Sequence, residues 1–289
     1  MNNGNRLILS IASFNIFGAP FYGNKIFRSL FRTRIFERFH IIADYFSKSG
    51  VDIVALQEVH TFRQLRFLKD RMQNFPHVLY EQFLYGPKGG VVIFSKIPFE
   101  HMEYVDFNKR GTFFNKTIVA KIGRRGILMG KLKDSPVYIF NTHLTQNSDH
   151  DWSPQNRYVP FLVSQLKQVA ETIASLSSKH TVIIAGDFNM PKTSPYYEWF
   201  IKHTHLKDIF NKYYSATYHK ELLKQGHTIG RVDYIFVNNT KRITVPNTTH
   251  IFKRKVQIDP AHVAYVSDHI GLKADIAITP SSAKLALLI

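Results

Sequence analysis

Eight polar side chains stand where the sequence leads one to expect the ends of buried strands. They are Asn15 in SFNIFG, Glu58 in VALQEV, His143 in NTHL, Asp187 and Asn189 in GDFN, Asp233 in RVDYIF, and Asp268 and His269 in SDH. Singly, each has an ordinary explanation. Glu58 reads as a solvated loop carboxylate and His143 as a hydrogen-bonded core histidine. Asp187 and Asn189 read as turn formers that bond their own backbone, and SDH as a helix N-cap. Together they resist that explanation. A carboxylate at a core strand costs free energy unless it is paired or holds a cation. Glu58, Asp187, Asp233 and Asp268 are four such groups in a chain with only 21 Asp plus Glu. Oxygen ligands from Glu, Asp and Asn suit a hard divalent ion such as Mg²⁺, or Mn²⁺, which also binds phosphate oxygens. The absence of cysteine and of an HExxH run argues against a tetrahedral zinc site. A neighbouring Asp can take a proton from an attacking water. A His held by a second Asp can stabilise charge developing on phosphate oxygens.

The elements that position these residues are short apolar runs of strand length: LILSIASFN, VDIVALQEV, GGVVIFSK, SPVYIFNTHL, TVIIAGDFN and RVDYIFVNN. Their near-continuous apolarity, rather than strict alternation, predicts strands covered on both faces. Two longer stretches carry helical spacing. RIFERFHIIADYFSKSG places Ile35, Phe36, Phe39, Ile42 and Phe46 on one face, with Gly50 as the C-terminal stop; RYVPFLVSQLKQVAETIASLSSKH repeats the pattern at Leu162, Leu166, Val169, Ile173 and Leu176. Strands interleaved with helices predict an α/β protein, and the hairpin-like spacing between residues 89 and 142 predicts that not all strands run parallel. Ligands collect where strands end in such folds. In VIIAGDFNMP, an extended chain would send Asp187 and Asn189, two apart, to the same side.

The 289 residues, 44% hydrophobic, contain no linker, repeat or low-complexity tract, and one domain is expected over 1–289, with its core at about 6–277 and a short C-terminal tail. The balance of 38 Lys plus Arg against 21 Asp plus Glu gives a formal +17, which favours anionic partners: nucleic acid, anionic lipid or a phosphorylated molecule. No apolar run approaches the ~20 residues of a membrane-spanning helix. The opening run MNNGNRLILSIASFNIF is broken by Ser10, Ser13 and Asn15 and reads as a core strand rather than a signal peptide. A cytoplasmic protein is the default expectation, with export by another route left open, and a monomer is expected.

In this order the motifs resemble the endonuclease/exonuclease/phosphatase superfamily of metal-dependent hydrolases, whose members include deoxyribonucleases, abasic-site endonucleases, inositol-phosphate 5-phosphatases and neutral sphingomyelinases. SFNIFG, VALQEV, NTHL, GDFN, RVDYIF and SDH cover residues 13 to 269. The resemblance implies a four-layer α/β sandwich, two packed mixed β-sheets flanked by helices, with the site at one edge. It implies Asn15 and Glu58 as the metal-site pair, with Asp268 near the metal. Asp187 would activate the nucleophilic water and Asn189 would hold the phosphoryl group. His269 would stabilise the transition state, oriented by Asp233, and His143 would contact phosphate.

For the substrate, GPKGGVVIFSKIPF followed by RRGILMGKL, and NTHLTQN, look like neutral sphingomyelinases, although Arg125 stands where that branch carries Lys. The leading expectation is a phospholipid phosphodiesterase. A nuclease or DNA-repair phosphodiesterase is the alternative that the charge favours. A phosphoinositide-type phosphatase ranks below both, as does a non-catalytic binding protein, which the completeness of the motif set disfavours. FYGNKIFRSLFRTRIF, residues 21–36, mixes basic and aromatic side chains. It reads either as a rim that meets an anionic membrane or unpaired bases, or as the core face of a longer first helix.

Overall fold

The computed structural model describes residues 6–18, 34–112, 121–176, 178–212, 216–223, 230–238 and 241–279. In chain order their strands are β1 (Leu7–Asn15), β2 (Ile53–Gln57), β3 (His77–Leu79), β4 (Gln82–Phe83), β5 (Gly86–Pro87), β6 (Val92–Ser95), β7 (Phe99–Asp106) and β8 (Gly126–Leu132). There follow β9 (Val137–His143), β10 (Thr181–Asp187), β11 (Lys207–Asp208), β12 (Asp233–Val237), β13 (Ile243–Ile251), β14 (Val256–Asp259), β15 (His262–Ala264) and β16 (Gly271–Ile278). Four α-helices lie wholly among the described residues: α1 (Ile35–Lys48), α2 (Phe62–Arg71), α3 (Val159–Ala174) and α4 (Pro195–Thr204).

Two six-stranded sheets result, in the orders β13-β16-β1-β2-β6-β3 and β11-β12-β10-β9-β8-β7. Each pairs its two central strands in parallel, β1 with β2 and β9 with β10, and is otherwise antiparallel. The antiparallel run β7-β8-β9 accounts for the hairpin-like spacing in the sequence.

The apolar pattern shows why the sheets stack. Alternate residues of β1 face opposite ways. Leu9 and Ile11 join Ile53, Ile93, Ile139, Ile183 and Ile235 in a core shared by both sheets. Ala12 and Phe14 join Phe39, Ile42 and Phe46 of α1 and Leu65 and Leu68 of α2. On the second sheet Phe140, Ile184 and Phe236 meet Leu162, Leu166 and Val169 of α3 and Phe200 of α4. The layers are therefore helix, sheet, sheet, helix, as expected. Each fully buried Leu, Ile or Phe contributes roughly 1.5–3 kcal/mol relative to exposure.

Helix α1 ends as its sequence predicts, with Gly50 at φ 71 just beyond Ser49. Helices α2 and α4 lie outside the two helical stretches read from the sequence; α2 starts with a capping box between Thr61 and Gln64, and α4 with Ser194 ahead of Pro195. The basic aromatic segment of residues 21–36 lies outside the described residues, except for its last three positions, which lead into and begin α1.

Candidate active site

The inward stripes of the central strands all end in polar residues at one end of the sandwich. On β1 the stripe Leu9, Ile11, Ser13 closes with Asn15. On β9 it closes with His143, on β10 with Asp187, and antiparallel β12 opens with Asp233. Register fixes this end: Asn15 pairs with Gln57, and Asp187 pairs with both His143 and Asp233. A period of two along each strand and in-register pairing suffice to gather these side chains between the sheets.

Below them a polar cross-link ties one sheet to the other. Gln57 Nε2 donates to Asn141 Oδ1 at 2.8 Å, and Asn141 Nδ2 donates to the carbonyls of Leu56 at 2.8 Å and Val92 at 2.9 Å.

Glu58 lies one residue past β2, in the left-handed region at φ 66. Val59 N–H donates to Gly90 O at 2.9 Å, and Gln64 Nε2 donates to Gly18 O at 2.8 Å. Gly18 packs so closely that a Cβ there would sit 2.0 Å from the Glu58 carbonyl oxygen. Asn15 Nδ2 then donates to Glu58 Oε1 at 3.3 Å and to Asp187 Oδ2 at 3.1 Å, joining carboxylates from opposite sheets. Asn15 Oδ1 accepts from Phe17 N–H at 3.0 Å.

Around Asp187, His143 Nε2 lies at 3.3 Å and His269 Nε2 at 3.7 Å from Oδ2. His269 Nδ1 is 2.9 Å from Asp233 Oδ2. Asp233 is held by its own backbone: Thr217 Oγ1 accepts from the N–H groups of Val232 and Asp233 at 3.1 and 3.2 Å. Beside it, Arg231 forks onto buried Asp208. SDH is no helix cap. Ser267 Oγ donates to Asn15 O at 2.7 Å and accepts from His269 N–H at 3.1 Å, which brings Asp268 and His269 to the end of β1.

Asn189 departs from the extended chain expected of GDFN. Strand β10 stops at Asp187, and Asn189 sits at φ 49. Its N–H donates to Asp187 Oδ1 at 2.9 Å and its Nδ2 to Leu144 O at 3.0 Å. The two side chains are neighbours because a turn closes on the carboxylate, not because a strand alternates.

These surroundings set the ionisation. Burial and the Asp233 charge push Asp187 up to about 7, against His269, the Asn189 N–H and the Asn15 amide. Burial raises Asp268 to about 6, with Glu58 adding to it and His269 opposing. Burial disfavours the imidazolium of His269, but Asp233, Asp187 and Asp268 outweigh it and raise it to about 10. Burial, then the Arg125 charge, hold His143 well below the usual histidine range, so its ring is neutral. Burial also works against ionised Glu58, yet His60, 3.9 Å from Oε2, and the Arg125 charge keep its carboxyl below the usual range.

Metal-binding capacity follows from this donor set. Glu58 Oε2 is buried without a hydrogen bond among the described residues, as is Asp233 Oδ1. Ligand atoms of Asp187, Asp233 and His269 lie within 4.8 Å of one another. A protonated His269 bonded to Asp233 is an ion pair rather than a ligand pair, whereas Glu58, Asn15 and Asp268 offer oxygens of the kind a hard cation takes. The site fits a divalent ion.

Two neighbours of the site have weak sequence signals. Arg125, at the mouth of β8, donates through Nη1 to Leu144 O, the carbonyl that Asn189 also uses, and its charge is felt by Glu58 and Asp187. In the sequence it stands out only as a substitute for Lys. The ring of Tyr218 lies 4.1 Å from that of His269, and nothing in its spacing marks it.

The Endonuclease/Exonuclease/phosphatase family model matches residues 12–269. No curated protein matches in sequence. Among solved structures, Sphingomyelinase C from Streptomyces griseocarneus is similar at TM-score 0.67 and 18% identity, over 93% of this chain and 99% of that one. D. rerio TDP2 complexed with single strand DNA product is similar at 0.67 and 18%, over 93% and 98%. Beta toxin from Staphylococcus aureus with bound magnesium ions is similar at 0.66 and 18%, over 93% and 99%. At such identities these likenesses speak for the fold; the family match, which spans the whole site from Asn15 to His269, makes this chain a member of the Endonuclease/Exonuclease/phosphatase family of metal-dependent phosphoric ester hydrolases.

Proposed function

We propose that the chain is a Mg²⁺-dependent phosphodiesterase of sphingomyelinase type, acting on a phospholipid headgroup at a membrane surface. For the chemistry, one observation carries the reading: Glu58, Asn15, Asp187, His269 and Asp233 form an unbroken series of contacts of 3.3, 3.1, 3.7 and 2.9 Å. Glu58, Asn15 and Asp268 would hold the cation, which supplies Lewis-acid polarisation of a phosphoryl oxygen when bound. Asp187, easily protonated near neutrality, takes the proton of the attacking water. His269 remains an imidazolium, held through Nδ1 by Asp233, and its Nε2–H faces the charge that gathers on phosphate and leaving-group oxygens. Asn189 uses one amide hydrogen on Leu144 O and has the second for a phosphoryl oxygen. Neutral His143, its Nδ1 without a bonded partner among the described residues, lines the same wall.

For the lipid substrate, support comes from the rim. The β4–β5 turn exposes Leu84 and Tyr85 at 70% and 75%, and Ile122 is 52% exposed. Gly89 N–H donates to Gly123 O at 2.6 Å, and Arg124 lies over the Phe83 ring at 5.7 Å, so these exposed groups share one edge. That edge abuts the site: Gly90 packs against His60 and Glu58. Aliphatic Leu84 and Ile122 gain from hydrocarbon and little from nucleic-acid bases. The net +17 favours a second reading, a nuclease. Parallel assays on sphingomyelin vesicles, plasmid DNA, single-stranded oligonucleotide and an aryl phosphodiester separate the two. Turnover is expected on vesicles, lost with EDTA and restored by Mg²⁺ or Mn²⁺. Silence on vesicles with salt-sensitive DNA cleavage would establish the nuclease instead.

A further inference from the structure

Helix α1 presents an apolar face to the first sheet, and a fully buried arginine stands within it. Arg38 has no solvent exposure. Its Nη1 donates to Ile16 O at 3.0 Å and to Val266 O at 2.6 Å, and its Nη2 donates to Phe17 O at 2.9 Å. The guanidinium carbon lies 5.8 Å from the Phe39 ring centre and 6.0 Å from that of Phe17. These carbonyls belong to two segments 250 positions apart in the chain. Ile16 and Phe17 carry β1 on from Asn15; Val266 leads directly into Ser267, Asp268 and His269.

A leucine at position 38 would fill the helix face without desolvating a charge. A buried arginine is costly unless it does something packing cannot. Its planar fork can reach several carbonyls at once in fixed geometry, which neither lysine nor an aliphatic side chain reproduces. Burial draws the guanidinium down to about 9, and the charges of Asp268 and Glu58 act against that, so it also senses the acidic cluster.

We propose that Arg38 is a positioning residue for the divalent cation: its fork fixes the spacing between the segment bearing Asn15 and the segment bearing Asp268, so that both reach one ion with Glu58. The inference rests on the reading of those three residues as ligands, and its test separates the two.

Mn²⁺ affinity of the metal-stripped protein, without substrate, is read from the electron paramagnetic resonance signal of free Mn²⁺ for wild type, Arg38→Lys, Arg38→Met and Glu58→Gln. Glu58→Gln should abolish tight binding; wild-type affinity there would overturn the ligand set itself. Both Arg38 variants, folded by circular dichroism, should bind Mn²⁺ at least tenfold more weakly. Arg38→Lys should regain turnover at high Mn²⁺ with substrate KM unchanged. Removing a positive charge beside Asp268 and Glu58 would, by Coulomb attraction alone, tighten cation binding. Tighter or unchanged affinity in Arg38→Met therefore overturns positioning. Should neither Arg38 variant fold, amide hydrogen exchange of the wild type decides. Added Mg²⁺ should slow residues 16–18 and 266–269 together, and unequal or absent slowing overturns the proposal.

Discussion

At the scale of single residues, the site depends on an environment that raises the proton affinity of two groups together. Asp187 is pushed up to about 7 and His269 to about 10. Water activation needs Asp187 ionised, so kcat/KM should rise as pH passes up through the Asp187 value, at or below about 7 once Mg²⁺ is bound. It should fall as His269 loses its proton near 10. Asp233 raises both groups, by like charge on Asp187 and by pairing on His269. Asp233→Asn should therefore move both limbs of the profile to lower pH, by about a unit or more; movement of one limb alone would contradict the shared role. Asp187→Ala and His269→Ala should each cut kcat on an aryl phosphodiester by ~10³ or more while circular dichroism stays unchanged.

At the scale of elements, precision comes from turns rather than from strands. Glu58 and Asn189 both sit at positive φ directly beyond or near a strand end, and Gly18 packs on the Glu58 carbonyl. Gly18→Ala has no room for its methyl group and should displace the Glu58 turn, reducing Mn²⁺ affinity and turnover at least tenfold, by the scale of small misplacements in active sites. Asn141 bridges the sheets with three hydrogen bonds, so Asn141→Leu should cost about 2–4 kcal/mol in denaturant unfolding. The strands that deliver the site, and α1 and α3, were legible because apolar runs and helical spacing are written locally. The motif residues were legible as a set because polar groups ending such runs are costly without a purpose. The left-handed turn at Asn189 was not legible, since neighbouring contacts and not alternation decide it. Helix α2 does carry local signals, with Phe62, Leu65 and Leu68 at every third position behind the Thr61–Gln64 capping box. Arg38 escaped because its spacing puts it on an apolar face, where only the placement of distant carbonyls explains a charge.

At the scale of the whole molecule, charge and site act separately. The +17 surface draws any polyanion nearby. On vesicles, raising salt should weaken binding to anionic lipid more than turnover of an aryl phosphodiester, which has no extended charge to release counterions. Leu84→Glu should lower vesicle binding severalfold and leave the aryl diester rate within about twofold, measured by sedimentation with liposomes and by steady-state kinetics. The order of strands has a consequence for how the chain comes into being. Strand β1 lies between β2 and β16, so residues 7–15 find their second neighbour only after residues 271–278 have been made. A product that stops short of residue 269 would hold Glu58 and Asp187 yet lack both the imidazole and the second neighbour of β1, so neither the site nor its sheet would be complete.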